Sequence, residues 1–186
     1  MNRPAVTYLI VNTPIGGILL AEVEGGLVRV AFENEDFGTV LGALSGVGHL
    51  EQRDTPVLGR ALAQLSQYFT GARQEFTLPL DWRLSSKFRL TVQQQLQTIP
   101  YGEVTTYSKL AESIGNPQAV RAVGTACGTN PLPLVVPCHR VLRADGGIGG
   151  YLGGVEIKTQ LLELEREVLA RSGEVRSDTA GPATEE

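Results

Sequence analysis

Cysteine is scarce in this chain: Cys127 and Cys138 are the only two in 186 residues, eleven positions apart. That spacing fits neither a secreted disulfide framework nor a zinc-ligand pattern, so a reducing compartment and no structural metal are expected. Also missing is any apolar run near the ~20 residues needed to cross a bilayer, and the N-terminus lacks the basic, apolar and small-residue order of a secretory signal. These absences point to a cytoplasmic chain with no membrane partner. What is present, 42% hydrophobic residues and 22 glycines, suits one generous globular domain or two small ones.

Positive charge is also in deficit, with a net charge of −4, which argues against nucleic acid until it is resolved by segment. Residues 1–82 carry five basic and nine acidic groups, and residues 144–186 carry four and nine. Residues 83–143 carry seven basic groups and two acidic ones. A basic middle between acidic ends can present a local phosphate-binding face, although chance clustering would give the same count.

The first 82 residues read as a small antiparallel sheet with one helix. Strand-like stretches at 6–11, 18–23 and 27–32 are separated by the turn signals Thr13 to Gly17 and Glu24 to Gly26. Residues 38–55, rich in Gly, Ser and charge, read as a loop. Leu58, Leu62, Leu65 and Phe69 then recur at helical spacing up to Gly71, and the alternation of Phe76, Leu78 and Leu80 suggests a last strand. Asp81 to Ser86 is the candidate linker, which divides the chain into a domain over 1–82, a second over 83–171 and a solvated tail over 172–186.

The second domain reads as mainly helical. Phe88, Val92, Leu96 and Ile99 form one stripe that Pro100 and Gly102 end. Thr105 or Thr106 can cap a short helix carrying Tyr107, Leu110, Ala111 and Ile114, which Gly115 stops. Asn116 and Pro117 suit the N-cap and first position of a third helix reaching about Cys127. Two short helices joined by a tight turn outline a helix-turn-helix. The small residues Ala119, Ala122, Gly124 and Ala126 allow close approach to another backbone, protein or DNA, and Arg121 is this helix's one cation.

The segment NPLPLVVPCHRVLRADGGIGGYLGG, residues 130–154, is the most informative in the chain. Pro131, Pro133 and Pro137 stiffen the backbone, and Leu134 to Val136 read as a buried, strand-like element leading into Cys138. A buried free cysteine is usually inert packing. Against that stand the adjacent His139 and Arg140, which offer a base and a positive environment, and the glycine-rich loop 146–154, which can close over a pocket. Neighbouring side chains in extended chain point to opposite sides, so a water bridge between Cys138 and His139 is the simpler geometry. Glu165 lies four residues after Leu161 and three before Val168 on the inward stripe of the last helix, either as a rim carboxylate or as a partner for imidazole or arginine.

The PCHR tetrapeptide at 137–140 within NPLPLVVPCHRV resembles the active-site signature of the O6-alkylguanine-DNA alkyltransferases. The resemblance extends upstream through YGEVTTYSKLAESIGNPQAVRAVG and downstream through GGYLGG and KTQLLELE, and covers about residues 5–170. It implies an α+β chain with an RNase H-like N-terminal domain and a helix-turn-helix C-terminal domain. Cys138 is then the alkyl acceptor, His139 its base through water, Glu165 the group that orients the imidazole, and Asn130 the brace of the turn. Tyr107 contacts the guanine. Val141, Tyr151 and Leu152 line the base pocket, and Arg121 fills the gap left by the extruded nucleotide, with Ala119 and Ala122 on the face that meets DNA.

The implied partner is duplex DNA containing O6-alkylguanine, entered from the minor groove with base flipping, by a protein acting as a monomer or cooperatively on DNA. No cofactor and no metal are implied. Leu152 departs from a commonly small or polar position, which bears on the range of alkyl groups accepted. The sequence has no second cysteine-rich unit of the adaptive-response type. Two rival readings are a lesion-binding relative without the acceptor cysteine, disfavoured by Cys138, and a thiol hydrolase, which would turn over repeatedly.

Overall fold

The computed structural model describes residues 3–178, with side chains to residue 173. Three strands, β1 (Ala5–Thr13), β2 (Gly16–Val23) and β3 (Gly26–Phe32), form the expected antiparallel meander. Both faces of β2 are covered. Ile18 and Leu20 enter the main core, while Leu19, Ala21 and Val23 enter a second cluster under α1 (Phe37–Leu44), as period-two alternation requires. Helix α2 (Pro56–Phe69) has Pro56 in its first turn and Thr55 as N-cap, accepting from the Leu58 N–H.

Three expectations for this half are corrected. Residues 38–55 are not a loop: they lie largely in α1 and in a fourth strand, β4 (His49–Gln52), which pairs parallel to β1 and makes the sheet mixed. Asp36 caps α1 by accepting from Gly38, a local signal that the surrounding glycines masked. Residues 76–80 do not form a strand; only Leu80 bridges to Leu27, flanked by bonds from Leu27 N–H to Pro79 and from Asp81 N–H to Leu27. Leu58 and Leu65 are buried on α2 as expected, but the buried face extends to Val57, Ala61, Gln64 and Tyr68, with Leu62 38% exposed and Phe69 half-buried.

The C-terminal half comprises α3 (Lys87–Leu96), α4 (Tyr107–Ser113), α5 (Val120–Gly128) and α6 (Val155–Asp178). Thr106 caps α4 by accepting from the Lys109 N–H. Gly115 at φ 72° turns the chain toward α5, a left-handed conformation that glycine takes without strain. Residues 117–119 form a 3-10 turn ahead of α5, and Asn116 makes no side-chain cap, so the third helix begins later than expected. A short parallel pairing of Thr105 and Thr106 in β5 (Thr105–Thr106) with Val141 and Leu142 in β6 (Val141–Leu142) ties the start of α4 to the segment after Cys138. Helix α6 continues past Arg171, where the solvated tail was expected to begin; residues 179–186 of that tail lie outside the described residues.

The two halves share one core, in which Leu20, Val30, Phe32 and Leu65 cluster with Leu96, Leu110, Val136 and Leu161. Val30 N–H donates to Pro131 at 2.8 Å, and Asn34 donates to the Leu152 carbonyl at 2.9 Å. Strand β3 and the turn that follows it thereby hold both ends of the 130–154 segment.

Candidate active site

Residues 130–140 are all buried, and the expected strand-like run is instead a series of turns in which Leu134 takes a φ of 73°. The three prolines remove donors and fix φ, so these turns are held by other groups. Asn130 supplies them: its Oδ1 accepts from Leu132 N–H at 3.1 Å and its Nδ2 donates to Val136 O at 2.9 Å. The same Nδ2 lies 3.2 Å from Cys138 Sγ, so the residue expected to brace the turn also touches the thiol.

Cys138 opens a 3-10 turn, Cys138–Arg140, and is 3% exposed. Adjacent side chains here diverge by helical rather than extended geometry. Burial pushes the Cys138 thiol up to about 11, while the Asn130 bond and the Lys158 charge pull the other way. The resting group is therefore a thiol, and its ionisation needs a base.

His139 is fully buried, and its Nε2 lies 2.9 Å from Glu165 Oε1. An ionised carboxylate only accepts, so Nε2 carries the proton and Nδ1 carries the free lone pair. Nδ1 is buried and has no hydrogen-bond partner among the described residues. Burial lowers the imidazole pKa, keeping it neutral and basic at Nδ1.

Glu165 is no rim carboxylate. It is fully buried and accepts from Tyr68 Oη at 2.7 Å, Gly102 N at 2.8 Å, and Arg140 through Nε and a terminal nitrogen at 2.9–3.2 Å. Burial opposes its charge, but His139 and Arg140 outweigh burial and hold it well below the usual carboxylate range. Arg140 also donates to Ile99 O at 2.6 Å and stacks over Tyr101. Gly102 has φ 75°, and an added Cβ would stand 2.2 Å from Leu169 Cδ1, so glycine there lets the backbone reach the carboxylate.

The glycine loop packs against Tyr107 and Phe32. An added Cβ at Gly149 would lie 3.1 Å from Tyr107 Oη, which places that hydroxyl against the loop. Burial and nearby Cys127 and Cys138 push Tyr107 up to about 12, so it stays a hydrogen-bond donor. The Tyr151 ring packs on Phe32 at 5.4 Å and edge-on to His139 at 6.3 Å, with its buried hydroxyl unpaired among the described residues. Leu152 is half-exposed, with its carbonyl held by Asn34. Val141 O accepts from Lys158 Nζ at 2.6 Å.

Of the residues picked out by sequence, Cys138, His139, Glu165, Asn130, Tyr107, Val141 and Tyr151 converge here, with Leu152 at the margin. Arg121 and Ala122 are exposed on α5 and Ala119 is half-buried ahead of it; Ala126 packs inward, so the small-residue stripe is divided between core and surface. Sequence reasoning missed Lys158 and Tyr68. Lys158 is fully buried, donates to Val141 O and Ile148 O, and places positive charge near Cys138. It stands three residues before Leu161 on the stripe that contains Glu165, the same signal that flagged the glutamate. Among the described residues, no cluster of three or more His, Cys, Asp or Glu is placed to hold a metal, and no helix is long and apolar enough to cross a membrane.

Residues 6–82 match the family 6-O-methylguanine DNA methyltransferase, ribonuclease-like domain, and residues 87–167 match the DNA binding domain of the same family. The chain is 41% identical over 160 residues to the constitutive methylated-DNA–protein-cysteine methyltransferase of Bacillus subtilis, covering 86% of this chain and 94% of the relative. It is 42% identical to the Mycolicibacterium paratuberculosis methylated-DNA–protein-cysteine methyltransferase, covering 87% and 93%. Mycobacterium tuberculosis OGT, solved in complex with DNA, superposes with a TM-score of 0.77 at 38% identity, covering 87% of this chain and 94% of that one.

Proposed function

Since this chain belongs to the methylated-DNA–protein-cysteine methyltransferase family, a DNA-repair family, we propose that Cys138 is its alkyl acceptor, His139 the base and Glu165 the orienting carboxylate. DNA is its partner. The lesion is O6-alkylguanine, approached from the minor groove and flipped into the pocket between Tyr107, Val141, Tyr151 and Leu152, because the O6 carbon is out of reach within stacked duplex. The single observation that carries this reading is the buried array Cys138, His139, Glu165, in which the only free imidazole lone pair belongs to Nδ1.

The chemistry is a displacement at the alkyl carbon. The Cys138 proton passes to His139 Nδ1 through one water, and Lys158 and Asn130 stabilise the thiolate. The S–C bond forms as the C–O6 bond breaks, its electron pair returning to the purine while Tyr107 donates a hydrogen bond to the developing charge. The proton taken from sulfur ends on guanine N1. The thioether is stable and no group in the site is suited to cleaving it, so each molecule acts once.

Arg121 on the exposed side of α5 fills the vacated stack, with Ala119 and Ala122 permitting close approach. The active unit is a monomer located in the cytoplasm, with functional halves over 1–82 and 83–171. Incubation with duplex carrying O6-methylguanine, followed by intact-protein and peptide mass spectrometry, tests the proposal. One methyl mass on the Cys138 peptide, absent in Cys138→Ser, is the expected result; an unchanged mass overturns it, and repeated turnover would favour a hydrolase.

A further inference from the structure

Glu165 receives more donors than a carboxylate needs. Arg140 already neutralises it with two nitrogens, and Gly102 N–H occupies Oε2. Tyr68 then donates at 2.7 Å to Oε1, the oxygen that also accepts from His139 at 2.9 Å. This hydroxyl comes from α2 in the N-terminal half, 97 residues earlier in the chain, on a fully buried ring set edge-on to Tyr101 at 5.9 Å. It is not required to satisfy the charge, yet it competes with the imidazole for the same lone pairs.

We propose that Tyr68 is a positioning residue for alkyl transfer, whose hydroxyl fixes the Glu165 carboxylate and limits how strongly that carboxylate stabilises a protonated His139. The inference rests on the reading of Cys138 as acceptor and His139 as base. A charge-assisted hydrogen bond to an anion disperses its charge, so less of it acts on the neighbouring imidazole. The other groups facing His139 have settled signs. Arg140 on the same turn and Lys158 on α6 disfavour the imidazolium, Glu165 on α6 favours it, and burial disfavours it. Cys138 and Tyr151 from the glycine loop are raised by burial and neutral near pH 7. Arg140 and the Gly102 N–H draw on the same carboxylate, but Tyr68 does so from the N-terminal half of the chain, at the oxygen that the imidazole also uses. The ribonuclease-like half would thereby set how readily the C-terminal base accepts a proton and releases it to guanine.

Tyr68→Phe in the full chain removes the hydroxyl and keeps the ring. The chain has only two histidines, so nitrogen-detected NMR of the imidazoles resolves His139, with exposed His49 as internal reference. The expected result is a His139 titration midpoint raised by about half a unit or more, with His49 unmoved. The acid limb of the single-turnover rate should rise in pH by the same amount while its neutral plateau stays within about threefold. A rate lowered equally at every pH, with the His139 midpoint unchanged, overturns the proposal and reduces Tyr68 to packing. If the phenylalanine variant does not fold, 3-fluorotyrosine at position 68, a stronger donor, should lower the His139 midpoint, and no change would again overturn it. Wild-type protein that gains no alkyl mass would sink the reading of Cys138 instead, while the titration still decides the role of Tyr68.

Discussion

Glu165 concentrates the electrostatics of the site in one residue. Glu165→Gln removes the charge that compensates the buried Arg140 and turns one of the two acceptor oxygens into a donor that faces other donors. Breaking a buried pair on one side costs about 3–5 kcal/mol. The urea midpoint should fall accordingly, and alkyl transfer should slow even where the variant remains folded. The thiols give a second prediction. Burial pushes Cys138 up to about 11 and Cys127 higher still, so iodoacetamide at neutral pH should label neither until urea unfolds the chain. Labelling of native Cys138 at the rate of a free thiol would contradict the buried, protonated resting state. Cys138 and His139 were legible as an adjacent thiol and base in apolar surroundings, whereas Asn130 was legible only through the family resemblance. Tyr68 was not, because tyrosine on an apolar helix stripe is what packing alone would also select.

At the scale of elements, the capped helix α4, the turn at Gly115 and the helix α5 follow from local signals: a threonine N-cap, an obligatory left-handed glycine and a proline in the turn before α5. Elements whose signals were masked or non-local were misread. Helix α1 and strand β4 lie among glycines and charges, and β4 is held by pairing with β1, a contact distant in sequence. The turns before Cys138 were read as extended because Val135 and Val136 favour strands, but the surrounding prolines and the Asn130 bonds override that preference. Helix α5 exposes Val120, Arg121, Ala122 and Thr125 while burying Val123, Ala126 and Cys127. Arg121→Ala should therefore leave thermal stability within about 0.5 kcal/mol. It should slow transfer from duplex DNA about tenfold, ~1.4 kcal/mol, and leave transfer from free O6-alkylguanine base unchanged. Equal slowing with both substrates would place Arg121 in the chemistry rather than in holding the duplex open.

For the molecule as a whole, the site sits in the core that joins the two halves, so protonation at the site and stability of the fold are coupled. His139 is buried with its pKa lowered, so the unfolded chain takes up that proton first. Its contribution is fully present above about pH 6.5 and declines as the pH falls through the lower folded value. Glu165 is lowered as well, and its contribution is present above about pH 4.3 and disappears only under stronger acid. Cys138 works in the opposite direction: its folded value is raised, so its contribution holds below about pH 8.5 and is lost as the pH climbs toward 11. The urea midpoint should thus be level between about pH 6.5 and 8.5 and fall on both sides, by at most ~1.4 kcal/mol per pH unit for each proton exchanged. Cys138→Ser should weaken the alkaline decline and leave the acidic one in place. A midpoint that rises on acidification from pH 7 to 5.5 would mean that His139 gains a proton on folding, reversing the assignment of Nδ1 as a free base.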